Sequence, residues 1–189
     1  MEETYSREIE VKLALSPQEF NSIEERILRK IKAKFLGKRK EIDIYFLHPL
    51  RDFSESKEAL RVRKTSDGKF FLTYKKIGKG PFKSRKELEV EVSDGNTLIT
   101  ILEALGFKKF LQIEKERKEY LTKENIKLCL DNVKDLGLFL EIEVMNSDPE
   151  KSKRKILDLI KNLGIKSNLI TYSYLELFIK QSLISHDNL

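Results

Sequence analysis

The sequence predicts an α+β fold in which eight antiparallel strands form a closed β-barrel with helices packed on the outside. The first observation is the segment 7–13, where charged and apolar residues alternate, so that Glu8, Glu10 and Lys12 share one strand face. The second is that the pattern returns, with Arg, Lys or Glu at nearly every polar position, in 61–63, 73–75, 85–92, 115–117 and 139–144. The third is that the predicted strands follow one another through short turns, which disfavours a parallel sheet.

A single strand of this kind usually has one face in water, and its charges then need no functional explanation. The repetition changes that interpretation, because an open sheet with a wet face would also carry Ser, Thr and Gln at its polar positions. Ionised residues at almost every such position favour a curled sheet with a charged lumen, whose apolar side is covered by helices.

Length and composition fit one domain that covers residues 1–189, with 40% hydrophobic and 36% charged residues. The sequence has no apolar run of membrane-spanning length and no signal-peptide pattern at its start, so we expect a cytoplasmic protein without membrane contact. Cys129 is the single cysteine and is expected to be a small, buried core residue. The net charge of +6 and the pI near 9.2 favour a polyanionic partner, either nucleic acid or a small polyphosphate.

The first part of the chain predicts a strand at 5–14 and then a helix. Ser16 and Glu19 form a capping-box pattern, with Pro17 at the first helical position. The apolar side of this helix comprises Phe20, Ile23, Ile27, Leu28 and Ile31. Gly37 is expected to break the next extended run, which continues as a strand over 42–46, and 48–57 is expected to be a loop.

The remaining elements alternate between hairpins and helices. A hairpin joins strands 59–65 and 69–77 through Asp67-Gly68, and 78–81 is expected to be a mobile basic loop. Further strands are predicted at 82–92, 112–121, 126–131 and 138–145. A short helix starts at Asp94 or Asn96 and ends near Gly106, a long helix capped at Asp148 ends at Leu163, and a final helix begins near Tyr172.

The predicted lumen combines many bases with many acids. The bases are Lys12, Arg61, Arg63, Lys75, Arg85, Lys115 and Arg117, and the acids are Glu8, Glu10, Glu87, Glu89, Glu141 and Glu143. If these groups only paired with one another they would stabilise the fold little, because desolvation roughly cancels their attraction. A ligand explains them better, since Arg and Lys together suit a chain of phosphates. Carboxylates at positions i and i+2, about 7 Å apart, are hard oxygen ligands that can share Mg²⁺ or Mn²⁺ ions bridging phosphate oxygens.

Several motifs resemble one family, in order and over nearly the whole chain. They are Glu8-Ile9-Glu10-Val11-Lys12, Leu60-Arg61-Val62-Arg63, Thr73-Tyr74-Lys75, 84–89, 115–117, Leu130-Asp131, 136–143 and 173–177. The first is similar to the ExExK signature of the CYTH family, the triphosphate tunnel metalloenzymes, which include class IV adenylyl cyclases and thiamine triphosphatases. Segments 43–46, 49–53 and 58–63 resemble the class IV cyclase branch more than the animal thiamine triphosphatases.

The resemblance implies a role for each lumen residue. The metal ligands would be Glu8, Glu10, Glu141 and Glu143, assisted by Asp131 and by Glu87 or Glu89, with Mg²⁺ or Mn²⁺ as the cofactor. Lys12, Arg61, Arg63, Lys75, Arg85, Lys115 and Arg117 would bind the triphosphate, and Glu10, Lys12, Asp131 and Glu143 would be the catalytic residues. For Glu87, Glu89 and Arg85, the alternative to a role in binding metal or phosphate is a salt bridge within the lumen.

The resemblance therefore implies a metal-dependent enzyme whose partner is a triphosphate-containing small molecule. The leading hypothesis is a class IV adenylyl cyclase, which converts ATP to cyclic AMP and pyrophosphate. The second is a triphosphatase that hydrolyses inorganic triphosphate, thiamine triphosphate or a nucleoside triphosphate. A non-catalytic module that binds polyphosphate or an RNA 5′ end is disfavoured, because proteins that bind nucleic acid usually present their basic residues on an accessible face. The sequence is also compatible with a homodimer.

Overall fold

The computed structural model describes residues 6–77, 84–145 and 148–186, and it describes the side chains in these ranges except those of 6–8, 77, 84–86, 149 and 184–186. The predicted loop 78–81 and the first residues of the strands predicted at 5–14 and 82–92 lie outside the described residues. The strands are β1 (Ser6–Leu15), β2 (Lys34–Leu47), β3 (Glu58–Thr65), β4 (Phe70–Ile77), β5 (Ser84–Val92), β6 (Lys108–Leu121), β7 (Ile126–Val133), β8 (Gly137–Met145) and β9 (Leu169–Ile170). The helices are α1 (Pro17–Arg26), which continues into a π-helical turn (Ile27–Ile31), α2 (Phe53–Ser56), α3 (Gly95–Ala104), α4 (Pro149–Leu163) and α5 (Tyr174–His186).

The nine strands of the described residues belong to one antiparallel sheet with the order β5-β4-β3-β2-β6-β7-β8-β1-β9. β1 has partners on both edges, with β8 along one edge and with β5 and then β9 along the other. Its pairing with β5 runs from Ser6 opposite Glu87 to Ile9 opposite Ser84. The α+β class and the antiparallel sheet are confirmed. The count of eight strands is wrong, because the two-residue strand β9 adds a ninth.

The outer face of the sheet carries the largest apolar core. It combines alternate residues of three neighbouring strands with residues of α1, the π-helical turn and α4: Ile9, Val11, Leu13, Leu128, Leu130, Leu140, Ile142, Ile23, Ile27, Ile156 and Leu163. Full burial of each such side chain contributes about 1.5–3 kcal/mol. Because side chains alternate along a strand, burying this set on the outer face leaves the ionised residues on the inner face.

The helix after β1 has the predicted start and a different end. Ser16 and Glu19 form the capping box, and Ile23 and Ile27 are buried, as predicted. Leu28 was expected on the apolar side but is 42% exposed. The backbone changes to π-helical bonding at Ile27, and this rotates the following side chains away from the α-helical spacing on which the prediction depends.

β2 is longer than predicted, and the predicted break at Gly37 is wrong. The strand starts at Lys34 and passes through Gly37 with a shift of register against β6 between Phe35 and Gly37, which is a bulge. The segment 48–57 is not entirely loop, because it contains α2, whose N-cap Asp52 accepts a hydrogen bond from the Ser54 amide at 2.7 Å. A helix of four residues is too short to produce a recognisable periodicity.

The other predicted elements are present with small shifts of their ends. The β3–β4 hairpin turns at Gly68, which has a positive φ of 86°, and Asp94 and Asp148 are the N-caps of α3 and α4. β6 begins at Lys108 rather than at Gln112, and α5 begins at Tyr174 rather than at Tyr172. Among the described residues, every helix is too short or too polar to cross a bilayer.

Candidate functional site

The ionised side chains of the inner face converge on a cavity of about 650 Å³. Eleven predicted site residues line it: Glu10, Lys12, Arg61, Arg63, Lys75, Glu87, Glu89, Lys115, Arg117, Glu141 and Glu143. Asp131 is fully buried and contacts Arg117 without lining the cavity. The side chains of Glu8 and Arg85 lie outside the described residues, although their backbones are paired across β1 and β5.

Two carboxylates of β2 organise one group of bases, the β2 cluster, which consists of Glu41, Asp43, Arg61, Arg63 and Lys115. Asp43 accepts hydrogen bonds from Arg63 Nε at 2.6 Å and from Lys115 Nζ at 2.7 Å. Glu41 lies 2.9 Å from Lys115 Nζ and 3.2 Å from Arg63 Nη1. Burial acts to raise the pKa of both carboxyls, but the surrounding bases hold each pKa below its ordinary value. Both groups are therefore ionised and fix the bases in place.

Arg61 is the least satisfied base of the β2 cluster. Its Nη1 lies 3.3 Å from Asp43 Oδ2, and its Nη2 lies 3.7 Å from Glu89 and 4.0 Å from Glu87. Its buried Nε has no hydrogen-bond partner among the described residues. Arg63, in contrast, makes two hydrogen bonds to Asp43, at 2.6 and 2.9 Å. Because buried donors are normally satisfied, a cavity-lining guanidinium in this state is suited to binding an anion.

A second group of charges, the β8 cluster, consists of Glu10, Lys12, Arg117, Glu141 and Glu143. Glu10 lies opposite Glu143 in the β1–β8 register, and Lys12 lies opposite Glu141. Lys12 pairs with Glu10, its Nζ lies 2.9 Å from Glu141, and Arg117 Nη2 lies 2.8 Å from Glu141. Burial acts to raise the pKa of Glu141, but Lys12 and Arg117 hold that pKa well below its ordinary value. For Glu143, burial and the charge of Glu141 both raise the pKa.

Asp131 holds Arg117 and the first residue of α5 together. Arg117 donates to Asp131 through Nε at 2.8 Å and Nη2 at 2.6 Å, and the Tyr174 hydroxyl donates to Asp131 Oδ2 at 2.7 Å. The Tyr174 ring lines the cavity, with Lys12 Nζ 4.9 Å from its centroid. Burial and the charge of Asp131 raise the pKa of Tyr174 well above its ordinary value. The phenol is thus neutral and forms a fixed part of the wall.

Another part of the cavity wall is apolar. It includes Phe46, Leu47, Phe53, Leu60 and Phe110. Phe46 and Phe53 are buried, whereas Leu47 and Phe110 are 42% and 48% exposed. Phe53 comes from α2, the short helix that the sequence did not predict. A ligand that fills the whole cavity would need a polyanionic part and an apolar part.

Comparison with known proteins agrees with this geometry. The family model described as the CYTH domain matches residues 6–174. The chain belongs to the CYTH family. It is an enzyme of the triphosphate tunnel metalloenzyme type, the group that its motifs resemble.

Relatives of this CYTH chain are similar over nearly their whole length. A Methanocaldococcus jannaschii protein with a provisional adenylate cyclase name is 43% identical over 175 residues, which cover 89% of this chain and 98% of the relative. A protein from Pyrococcus horikoshii OT3 has a similar structure, with a TM-score of 0.81 and 32% identity over 92% of this chain and 99% of its own. A Hippeastrum protein, provisionally an adenylyl cyclase and described as having a dominant triphosphatase activity, shares the fold with a TM-score of 0.69, at 19% identity over 93% of this chain and 96% of its own.

The CYTH family implies a divalent metal, and the β8 cluster contains residues that fit one. Glu10 is directly opposite Glu143 in the β1–β8 register, Glu141 is two residues before Glu143 on the same strand, and carboxylate oxygens are the ligands that hard divalent cations prefer. Burial beside a second carboxylate raises the pKa of Glu143. A dication would stabilise both carboxylates in their ionised form, so this donor set suits a divalent ion.

Some inner-face residues of this CYTH chain were missed in the sequence. Arg39, Glu41 and Asp43 alternate on β2, and Glu119 and Lys127 continue the alternation of β6 and β7. The expected break at Gly37 left Arg39 and Glu41 outside the predicted strand 42–46, whereas Asp43 lay within that strand but was not assigned to the site. Tyr174 gave no such signal, because a helix residue reaches the inner face only through tertiary packing. Cys129 is buried as predicted, and its thiol lies 3.9 Å from a Glu143 oxygen.

Proposed function

We propose that this chain is a divalent-metal-dependent enzyme that converts ATP to cyclic AMP and pyrophosphate. The observation that carries the proposal is that one cavity joins the two charged clusters to an apolar wall. Its volume of about 650 Å³ lies within the range of about 300–1,000 Å³ that is typical of small-molecule sites. A nucleoside triphosphate has the required polyanionic chain and apolar ring, whereas inorganic triphosphate leaves the apolar wall without a partner.

The proposed site is the lumen of a closed barrel. The pairing of β1 with β5 supports closure, because it makes neighbours of the two strands at opposite ends of the eight-strand series from β5 to β1. A closed sheet places its ionised residues in a confined space of low polarity, where their interactions with phosphate are stronger than in bulk water.

We assign the triphosphate to the cationic part of the lining. Arg61 has a buried Nε without a hydrogen-bond partner among the described residues, and Lys75 and Lys12, which pair with Glu87 and with Glu10 and Glu141, also line the cavity. Arg63, Lys115 and Arg117 are fixed by acidic partners, so they contribute positive potential from set positions. Arg85 is retained as a phosphate-binding residue on the motif alone. For Asp131, both oxygens accept hydrogen bonds from Arg117 or Tyr174, and we therefore assign it the positioning of Arg117 rather than metal binding.

The carboxylates Glu10, Glu141 and Glu143 would hold the divalent ion, whose identity we take to be Mg²⁺ or Mn²⁺. Glu8 is added from the motif, whereas Glu87 pairs with Lys75 at 2.6 Å and Glu89 lies 3.7 Å from Arg61 Nη2. When bound, the ion supplies Lewis-acid polarisation of phosphate oxygens. In cyclisation, the ribose 3′ hydroxyl loses its proton to water and its oxygen forms a bond to the α-phosphorus. The bond between the α-phosphorus and the bridging oxygen breaks at the same time, and pyrophosphate leaves. Arg61, Lys12 and Lys75 stabilise the charge that develops on the leaving pyrophosphate.

Hydrolysis of the triphosphate is the second candidate. The specific observation in its favour is that the cavity wall includes half-exposed residues such as Leu47 and Phe110, so that water can reach the charged lining. Cyclisation requires that water be excluded from the α-phosphorus. The name of the M. jannaschii relative supports the cyclase, and the described activity of the Hippeastrum protein is consistent with the hydrolase on the same fold.

The deciding experiment measures products rather than ATP loss. Purified protein is incubated with ATP and Mn²⁺ or Mg²⁺, and cyclic AMP, pyrophosphate, ADP and phosphate are quantified. We expect cyclic AMP and pyrophosphate in equal amounts, and a loss of turnover in Glu143→Gln. The matched control is Glu114→Gln, on the outer face of β6, which should behave like the wild type. ADP or AMP with free phosphate would overturn the cyclase in favour of the hydrolase, and ATP binding without turnover would overturn both.

A further inference from the structure

The thiol of Cys129 lies beside the two carboxylates of β8. Cys129 is directly opposite Glu141 in the β7–β8 register, and its Sγ is 3.9 Å from Glu143 Oε1. The sulfur and one oxygen from each glutamate all lie within 4.8 Å of one another, and the three residues are buried. One ion could therefore contact all three groups after small side-chain movements.

Ordinary core packing does not account for this position. Leu128 and Leu130, the neighbours of Cys129 in sequence, belong to the apolar core on the outer face. Cys129 points to the inner face, with Glu119 opposite it on β6 and Glu141 opposite it on β8. Free cysteines usually behave as small hydrophobic residues among aliphatic side chains, whereas both cross-strand neighbours here are acids.

The donor set differs from one made of oxygens alone. Mg²⁺ takes oxygen ligands, whereas a thiolate with two carboxylates suits Zn²⁺ or Co²⁺. We propose that Cys129 is a ligand of the metal site formed by Glu141 and Glu143, and that it gives this site affinity for thiophilic divalent ions. The inference rests on the metal site of the proposed function and adds a ligand to it.

The bases around the site determine what the ion must displace. Lys127 Nζ lies 3.1 Å from one oxygen of Glu143, and Arg117 Nη1 lies 3.5 Å from the other. The second contact is the longer of the two, and it is made by the same oxygen that accepts from the Cys129 thiol. A dication bound there replaces a weak contact with Arg117, which keeps its two hydrogen bonds to Asp131.

The test uses the fact that the chain has one cysteine. A charge-transfer band between thiolate and Co²⁺ in the near ultraviolet can therefore arise only from Cys129. Metal-free protein is titrated with Co²⁺, and we expect a band that saturates at about one ion per chain and disappears when Zn²⁺ is added. Cys129→Ser should lack the band and bind Co²⁺ roughly tenfold or more weakly, and Glu143→Gln should weaken the band. Glu114→Gln, on the outer face, should match the wild type.

Controls separate a lost ligand from a misfolded protein. Thermal unfolding of metal-free Cys129→Ser and Cys129→Ala should show that at least one variant folds, and that variant is used for the comparison. Co²⁺ binding without a thiolate band, or with equal affinity in the folded cysteine variant, would overturn the inference. Product formation with Mg²⁺ and ATP is measured separately, so that a missing band with intact turnover contradicts only the role of Cys129. A thiolate band without any turnover contradicts only the proposed function.

Discussion

Lys115 donates a hydrogen bond from Nζ to Asp43 Oδ2 at 2.7 Å and thereby joins β6 to β2 on the inner face. The same carboxylate accepts from Arg63, so one acid of β2 neutralises bases of two other strands. Removing one partner of a buried ion pair costs about 3–5 kcal/mol, because the other charge stays buried without compensation. Among substitutions in the β2 cluster, a change of Asp43 is therefore expected to lower the free energy of unfolding most.

Asp43→Asn should lower the free energy of unfolding by about 3–5 kcal/mol. The amide keeps the shape of the side chain but removes the charge that fixes Arg63 and Lys115. Urea denaturation followed by circular dichroism measures the change. Glu114→Gln, an exposed acid on the outer face of β6, is the control and should change the free energy by no more than about 0.5 kcal/mol. Equal stability of the two variants would show that Asp43 is not the anchor of the β2 cluster.

The β2 carboxylates also predict how stability depends on pH. Burial opposes ionisation, but Arg63 and Lys115 hold the pKa of Asp43 and Glu41 below their values in the unfolded chain. A depressed pKa in the folded state contributes stability that is present above the unfolded pKa and is lost as the pH falls. The unfolded values are about 4, so the loss should begin near that pH and increase below it. Urea midpoints measured from neutral to acidic pH should fall less steeply for Asp43→Asn than for the wild type.

Arg61 and Arg63 form a matched pair for testing which base binds phosphate. Their side chains are 11% and 12% exposed, so a difference between the variants must come from their contacts. Arg61→Ala removes a base with an unsatisfied Nε and a single 3.3 Å hydrogen bond to Asp43, and we expect the affinity for ATP to fall roughly ten- to a hundredfold with a smaller loss of stability than in Arg63→Ala. Arg63→Ala should mainly reduce stability, because it removes two hydrogen bonds to Asp43. Calorimetric titration and urea unfolding of both variants measure the two effects, and the reverse pattern would contradict the assignment.

The sequence predicts the strands of this fold well because most of them have one apolar and one ionised face. Val11 and Glu10 show why: a shift of one residue would bury the acid in the outer core, so the register is strongly specified. The same alternation predicted eleven of the bases and acids that line the cavity. It could not show which bases are already neutralised, because the pairing of Arg63 with Asp43 joins residues that are distant in sequence. Tyr174 and Phe53 reach the cavity from helices. Their positions depend on how those helices pack against the sheet, which a local sequence pattern does not indicate.

Metal binding should stabilise the protein through the β8 cluster. An ion that binds only the folded state at a hundredfold excess over its Kd adds about 2.7 kcal/mol to the free energy of unfolding. We expect Mn²⁺ to raise the Tm of the wild type, and a chelator to reverse the shift. In Glu141→Gln combined with Glu143→Gln, the shift should be lost. Because this double variant also leaves Lys12 and Arg117 less neutralised, the comparison is the metal-induced change in Tm within each variant. Glu114→Gln should keep the full shift, and an undiminished shift in the double variant would place the metal elsewhere.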